Sequence, residues 1–260
     1  GGSTDAPATP NITAASFEYN GTSWTAGGDM VESRIAGSGF GSSNTAAVVA
    51  AGNEPTLSAK TETYNGTAFT EETDCNQARG EKLGGAGTST AGVIFGGANP
   101  PGTQRNETET WNGSSWTETG NLNSARSQLA GAGAAYTASI AFGGYTTTGT
   151  GSTETFNGSS WTETGALNTA REGLGGSGTS TSALAFSGLT PPGAKVGVTE
   201  NFDGSTWTEV ADLSTTRYQV GGSPSGTSAL ALAAGGLVSE AVTVTEEFTA
   251  SLANKTITST

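Results

Sequence analysis

One arginine recurs along this chain at intervals of 45, 47, 45 and 46 residues, and a glutamate follows each one at a similar distance. The arginines are Arg34, Arg79, Arg126, Arg171 and Arg217, and the glutamates are Glu62, Glu109, Glu154, Glu200 and Glu246. A guanidinium group offers a planar fork of donors that suits a carboxylate or backbone carbonyls. The pattern therefore allows a structural brace in every repeat or a ring of arginines that captures an anion at a channel mouth. Repetition in every unit favours the brace.

Catalytic and metal-binding chemistry is poorly represented among the other polar residues. The adjacent pairs Glu71–Glu72 and Glu246–Glu247 would point to opposite faces of a strand. Histidine is absent, which removes the commonest general base and the commonest metal ligand. Neither a phosphate-binding GxxxxGK[ST] motif nor a calcium-binding DxDxDG loop occurs. We therefore expect a protein that is not an enzyme and that has no cofactor and no metal site.

Aromatic residues recur with the same period as the arginines. They lie at Trp24, Phe69, Trp116, Trp161 and Trp207. A row of aromatic rings can stack on sugars, but a fixed place in every repeat favours packing between repeats.

Asn-Gly pairs separate two short β-prone runs in four of the repeats. Asn20, Asn65, Asn112 and Asn157 each also fit the N-glycosylation pattern. The corresponding pair Asp203-Gly204 keeps the turn chemistry and loses that pattern. We therefore interpret these residues as hairpin turns, in which both positions tolerate positive φ.

Composition indicates an all-β protein with an acidic surface. Among 260 residues there are 41 Gly, and only 13% are charged, which is typical of short strands and tight turns. A net charge of −13 disfavours binding to nucleic acid and to anionic membranes. The single cysteine, Cys75, excludes an intrachain disulfide, and no run of 18 apolar residues predicts a membrane span.

The turn residues and the small or apolar runs of each repeat predict four strands. In the third repeat, residues 109–113 (ETWNG) and 115–118 (SWTE) form a predicted hairpin, and a polar loop then leads to Arg126. The small and apolar residues from Leu129 to Gly144 read as two further strands. Four short strands in about 46 residues are the signature of a propeller blade, whose innermost strand needs small side chains because blades converge on the axis.

The repeats resemble the kelch-type propellers over residues 16–250. The features that match are a Gly-Gly pair closing the second strand (Gly96–Gly97, Gly143–Gly144), an aromatic residue in the third strand and a tryptophan in the fourth. The spacing from Trp111 to Trp116 is shorter than the usual kelch spacing. In style, the repeats also look like those of structural and tail-fibre proteins of marine bacteriophages. That resemblance implies a location on a virion appendage or outside the cell.

The predicted number of blades is five, because five segments of first and second strands follow the five arginines. Third-strand motifs number six, from Phe17–Tyr19 to Glu246–Phe248, so both ends carry outer-strand sequence. The hairpin from Phe17 to Thr25 or the C-terminal tail would then close the ring. Six blades, with residues 11–15 (NITAA) as a makeshift strand, is the alternative, and a third is donation of the surplus hairpin to another copy.

The connections from second to third strands differ in every repeat and would share one face of a propeller. A constant scaffold with differing loops separates stability from recognition, although neutral drift would also vary these loops. We place the binding face at residues 53–58, 99–105, 145–149 and 189–195. Its candidate ligand-binding residues are Asn53, Glu54, Asn99, Gln104, Arg105, Tyr145 and Lys195.

The expected organisation is an N-terminal extension (1–15), the propeller (16–250) and a C-terminal closing strand (251–260). The first residues, GGSTDAPATP, contain neither Met nor a signal-peptide core, which is typical of a processed product or a fragment. Residues 109–120 and 154–165 differ at one position in twelve, and a modular surface tolerates such copying better than an active site does.

We expect a display module that binds a cell-surface glycan or protein and contacts other virion subunits or copies of itself. A secreted lectin-like or matrix protein is the alternative, and an enzyme with carboxylate chemistry is a third possibility.

Overall fold

A computed structural model describes residues 2–3, 12–54, 56–99, 102–250 and 255–259. The secondary structure in these ranges consists of β-strands and one 3₁₀ turn at Tyr136–Ala138, so the chain is all-β as predicted. We call the five repeats that begin at the periodic arginines unit one to unit five, and we call the two strands before them the N-terminal hairpin.

The strands follow the repeats closely. Before the first arginine lie β1 (Gly2–Ser3), β2 (Ile12–Thr13), β3 (Phe17–Tyr19) and β4 (Trp24–Ala26), of which β3 and β4 form the N-terminal hairpin. Unit one contains β5 (Ser38–Ser43), β6 (Ala46–Glu54), β7 (Thr56–Tyr64) and β8 (Phe69–Glu71). Unit two contains β9 (Gly84–Thr88), β10 (Ala91–Phe95), β11 (Ala98–Asn99), β12 (Thr103–Gln104), β13 (Thr108–Trp111) and β14 (Trp116–Glu118).

The later units repeat this order. Unit three contains β15 (Ala130–Ala132), β16 (Ser139–Phe142), β17 (Thr153–Phe156) and β18 (Trp161–Thr164). Unit four contains β19 (Gly175–Thr179), β20 (Ser182–Phe186), β21 (Leu189–Thr190), β22 (Ala194–Lys195), β23 (Thr199–Phe202) and β24 (Trp207–Glu209). Unit five contains β25 (Leu230–Ala234), β26 (Thr245–Ala250) and β27 (Lys255–Ser259).

Units one to four each form a four-stranded antiparallel sheet in which sequential major strands are neighbours. The result is a propeller-like arrangement of four complete blades. The sequence favoured five blades and allowed six, and the described residues do not show either number as complete four-stranded sheets. In unit five only β25, β26 and β27 form the sheet, and two isolated bridges, Gly221 with Ala234 and Thr227 with Leu230, stand in place of a first strand. The N-terminal hairpin is a sheet of two strands.

The hydrophobic core lies between successive sheets. Four clusters of buried residues join unit one to two, two to three, three to four and four to five. In the cluster of units three and four, Phe142 meets Trp207 with ring centroids 5.1 Å apart. The innermost strands pack so tightly that a Cβ on Gly131 would lie 2.6 Å from the Phe95 ring. This contact explains the small residues of the first strands.

The hairpin turns use asparagine differently from the prediction. Gly113 has φ of +94°, whereas Asn112 is not among the residues with positive φ. The Asn112 side-chain oxygen instead accepts the amides of Ser114 and Ser115, each at 2.9 Å. Asparagine therefore closes the turn through its side chain, and only the glycine needs the left-handed backbone.

The N-terminal residues do not supply a blade strand. Ile12–Thr13 of the NITAA segment forms a strand, but it pairs with Gly2–Ser3 in a separate ribbon and joins no blade sheet, and Asn11 lies outside the described residues. Among residues 251–260, Lys255–Ser259 pairs with β26 as the outer strand of unit five. The rest of that tail and most of the extension at 1–15 lie outside the described residues.

Candidate functional site

Each repeat arginine is buried against a glutamate of its own unit. Arg79 Nη2 donates to Glu109 Oε1 at 2.9 Å, and Arg217 Nη1 donates to Glu246 Oε1 at 2.8 Å. The same ion pair is formed by Arg34 with Glu62, Arg126 with Glu154 and Arg171 with Glu200. All ten side chains are at most 2% exposed, so these arginines do not form an open anion-binding ring.

The second carboxylate oxygen is held by the residue three positions before the arginine. Asn123, at the end of unit two, donates its backbone and side-chain N–H groups to Glu154 Oε2 of unit three, both at 2.8 Å. Asn76 and Asn168 make the same pair of bonds, whereas Val31 and Ser214 donate only the backbone amide. Sequence reasoning missed this residue, although its constant spacing from the arginine was available as a signal.

The buried pairs act as braces between the polar loop and the third strand. Arg79 Nη1 also donates to Glu107 O at 2.6 Å, which ties the arginine to the connection before β13. Burial lowers the pKa of Arg79, Arg126 and Arg171, but a guanidinium group stays charged in proteins. Removing either partner would leave a buried charge without its counterion.

The periodic tryptophans join neighbouring units. Trp161 Nε1 donates to Thr108 Oγ1 at 2.9 Å, from unit three to the start of the third strand of unit two. Trp116 and Trp207 make the equivalent bonds to Thr61 and Thr153. These three indoles are 5–6% exposed, which leaves them no surface for stacking on a sugar.

The variable connections all leave the scaffold at one place, beside the repeat arginines. The residue after each arginine forms a backbone bridge with the residue that begins the connection. The bridges are Ile35 with Asn53, Gly80 with Ala98, Ser127 with Tyr145, Glu172 with Leu189 and Tyr218 with Leu237. We call the surface formed by these five connections the loop rim.

Neighbouring connections touch around the rim. A Cβ placed on Gly149 of unit three would lie 3.2 Å from Pro191 of unit four. Lys195 Nζ of unit four lies 5.8 Å from the centre of the Tyr218 ring of unit five, within reach of a cation–π contact. The connections of units three and four therefore touch, and the connection of unit four reaches unit five.

Three of the candidate residues of unit two lie together on the rim. Asn99 donates to Ala78 O at 3.1 Å and accepts from the Arg105 guanidinium. Arg105, 30% exposed, also pairs with Glu107 at 3.1 Å. Gln104 lies beside them in β12, opposite Ala98.

The other candidate residues are distributed over units one, three and four. Asn53 Oδ1 is buried near Gly80, with no hydrogen-bond partner among the described atoms, so Asn53 supports the rim from below. Glu54 ends β6, and its side chain lies outside the described part. Tyr145 is half-buried and bridges both Ser127 and Gly149, whereas Lys195 in β22 is exposed.

The inner strands of all five units surround a cavity of about 260 Å³. Lys82 crosses it, and its Nζ donates to Leu174 O at 2.8 Å and to Val220 O at 3.2 Å. Part of the Lys82 side chain is accessible within the cavity, but the protein surrounds the amine and burial lowers its pKa to about 7. Lys82 therefore links unit two to units four and five across the axis.

Within the ranges that the structure describes, no group of three or more Cys, Asp or Glu residues could hold a metal ion. The same ranges contain no helix long and apolar enough to span a membrane. A comparison with models of known protein families gave no match, and a comparison with curated proteins gave none either.

Proposed function

We propose that this chain is a non-enzymatic display module that binds a cell-surface glycan or protein through its loop rim. The observation that carries the proposal is the set of five backbone bridges that hold five different connections at one constant rim. Loops held at their base by a rigid scaffold lose little conformational entropy on binding. In this reading the repeats are kelch-like, the five units are five propeller blades, and the appendage is a viral tail fibre or a similar structure.

The chemistry of the rim suits a neutral sugar or a polypeptide better than a polyanion. Tyr145 on the rim and Tyr218 beside it offer aromatic surface, and Asn99, Arg105 and Lys195 offer hydrogen-bond donors. Aromatic rings combined with a few directed polar groups are typical of such sites. The net charge of −13 opposes a polyanionic ligand.

The test measures binding of the purified chain to a glycan array and to intact bacterial cells. We expect saturable binding that weakens at least tenfold in the double variant Tyr145→Ala/Lys195→Ala. Thr162→Ala, on the exposed outer strand β18, is the matched control and should bind like the unmodified chain. Equal binding by the rim variant and the control would refute the rim as the binding surface.

Hydrolysis of any glycan on the array by the chain would overturn the non-enzymatic part of the proposal. A secreted lectin-like or matrix protein would give the same binding result. Immunogold labelling of virions from the native source distinguishes a virion appendage, which is labelled, from a secreted protein, which is not.

A further inference from the structure

The ring of units is open on one side, between unit five and unit one. Backbone hydrogen bonds near the axis join the other neighbours: Lys82 N to Ala36 O, Gln128 N to Glu81 O, Gly173 N to Gln128 O and Gln219 N to Gly173 O. Over the described ranges, no equivalent bond and no cluster of buried apolar residues joins unit five to unit one.

Both walls of this opening are apolar surfaces that are buried elsewhere in the molecule. On the unit five side, Leu230 is 63% exposed, and Leu232 is partly exposed although its equivalent Leu184 in unit four is fully buried. On the unit one side, Val49 is partly exposed although its equivalent Ile94 in unit two is fully buried. The exposed residues alternate with buried ones along β25, so one face of unit five is uncovered.

The N-terminal hairpin closes the outer end of this opening. Trp24 Nε1 donates to Thr245 Oγ1 at 3.0 Å, the same bond that the other periodic tryptophans make to the preceding unit. On the other side, the Tyr64 hydroxyl of unit one donates to Glu18. The hairpin therefore stands where the outer half of a blade would stand. We call the space bounded by unit five, unit one and the hairpin the open cleft.

No strand in the described ranges pairs with the inner side of β3, whereas in units one to four a second strand lies there. Gly2 occupies the position at which the second strand ends in the other units. Its amide donates to Arg34 O at 3.0 Å, as Gly97 does to Arg126 O. The open cleft thus has the boundaries of the inner half of a blade.

The exposed side chain of Phe17 indicates which kind of side chain the cleft can accept. It occupies the position of the buried glutamate in the other units, because Tyr19 faces Trp24 as Tyr64 faces Phe69. Each of those glutamates needs an arginine, and Phe17, 62% exposed, needs an apolar neighbour instead. An occupant of the cleft would therefore carry no arginine at this place.

We propose that the open cleft binds an antiparallel pair of strands like the first and second strands of the repeats. One strand would be rich in Gly, Ala and Ser, and the other would be apolar. Such a partner would pair with β3 through its backbone and cover Leu232 and Val49 with small and apolar side chains, which is recognition by strand addition. This inference does not depend on what binds the loop rim.

The probe is a fluorescent synthetic peptide with the sequence of residues 83–97, LGGAGTSTAGVIFGG, which forms the inner half of unit two. We expect saturable binding of one peptide per chain in fluorescence anisotropy, and slower hydrogen exchange in β3 and β25 when it is bound. A scrambled peptide of the same composition should not bind.

Two variants of the chain locate the site. Phe17→Glu/Leu232→Asp should bind the peptide at least tenfold more weakly, because it puts charge on the hairpin and on the unit five wall of the cleft. Thr162→Glu, which adds charge on the outer strand of unit three, should bind it normally. Circular dichroism checks that both variants keep the fold.

Absence of peptide binding to the folded chain would overturn the proposal, and so would equal binding by the two variants. A concentration-dependent dimer that is lost in Phe17→Glu/Leu232→Asp would overturn the choice of partner, since the occupant would then be a second copy. Sedimentation velocity of the chain without peptide measures this outcome.

Discussion

Two regions of the molecule are built from the same repeat: the interface between units three and four, and the open cleft between units five and one. The first is a packed interface, whereas the second leaves apolar side chains exposed. In the first, Phe142, Leu174 and Trp207 bury one another, and a buried ion pair braces each sheet. In the second, Leu230 and Phe17 remain exposed, and phenylalanine replaces the glutamate. The contrast shows that the repeat keeps its buried charge only where the partner charge is present, because an unpaired buried carboxylate is costly.

The largest expected difference between the two regions comes from their apolar side chains. Phe142→Ala should lower the free energy of unfolding by about 3–5 kcal/mol, because it leaves a cavity in a packed interface. Leu230→Ala should change it by less than about 0.5 kcal/mol, because the side chain is mostly exposed. Urea unfolding followed by tryptophan fluorescence measures both, and similar losses would show that the cleft is packed in solution.

Removing one charge of a brace should cost nearly as much. Arg126→Met leaves Glu154 buried without its counterion, and we expect a loss of about 3–5 kcal/mol. The double variant Arg126→Met/Glu154→Gln should recover much of this, since the glutamine is neutral and still accepts the bonds from Asn123. If the double variant is no more stable than the single one, the unpaired charge is not the cause.

Lys82 should make the stability of the ring depend on pH. Its pKa is lowered to about 7 in the folded chain from 10.5, so between these values the unfolded chain binds more protons and stability rises with pH. From pH 7 to 9 we expect a gain of about 2 kcal/mol relative to Lys82→Met, which lacks the titrating amine. Thermal unfolding of the two proteins gives this difference, and parallel profiles would contradict it. Above pH 9 the raised pKa of the buried Cys75 thiol, about 12, acts in the opposite direction in both proteins.

Removing a tryptophan hydrogen bond should lower stability by a smaller amount, and that amount should differ between the packed units and the N-terminal hairpin. Trp161→Phe should cost about 1–3 kcal/mol because Thr108 loses its donor in a buried place. Trp24→Phe should cost less, since Trp24 is 40% exposed and water can replace its bond to Thr245. Equal losses in urea unfolding would indicate that the hairpin is as firmly joined to unit five as the complete blades are to one another.

The smallest effect is expected on the rim. Arg105→Ala removes a partly exposed ion pair with Glu107, and such pairs contribute about 0–1 kcal/mol. Its stability should therefore stay close to that of the unmodified chain, which makes it a fair variant for binding assays. A loss above about 2 kcal/mol would mean that Arg105 supports the scaffold.

Most of the fold could be predicted from the periodicity of the sequence. The spacing of arginine and tryptophan predicted the units, and the apolar run 183–186 predicted most of β20, because a strand buried on both faces has no polar positions. The partner of each arginine lies 28–30 residues further along the chain, and only the sheet register brings the two together.

Departures from the repeat were harder to read. Phe17–Tyr19 was recognised as a third-strand copy, but its exposure depends on which strands surround it. The segment between the arginine and the first strand is one residue longer in unit two than in unit three, and Lys82 lies in it. Nothing in the local sequence indicates that the Lys82 side chain would cross the axis. The position of the rim was predicted from the variability of its loops, but the burial of the Asn53 Oδ1 atom depends on its contact with Gly80 in the next unit.

The buried braces also decide how the molecule meets its solvent. Five of the 10 Lys and Arg residues are hidden in the ion pairs, and Lys82 is enclosed in the cavity. Only five of the 23 Asp and Glu residues belong to those pairs. The exterior is consequently that of a polyanion with an atmosphere of small cations. Two copies would repel one another over a screening length of about 10 Å at 0.1 M salt, so dissolved salt would govern how closely copies of this chain can approach one another.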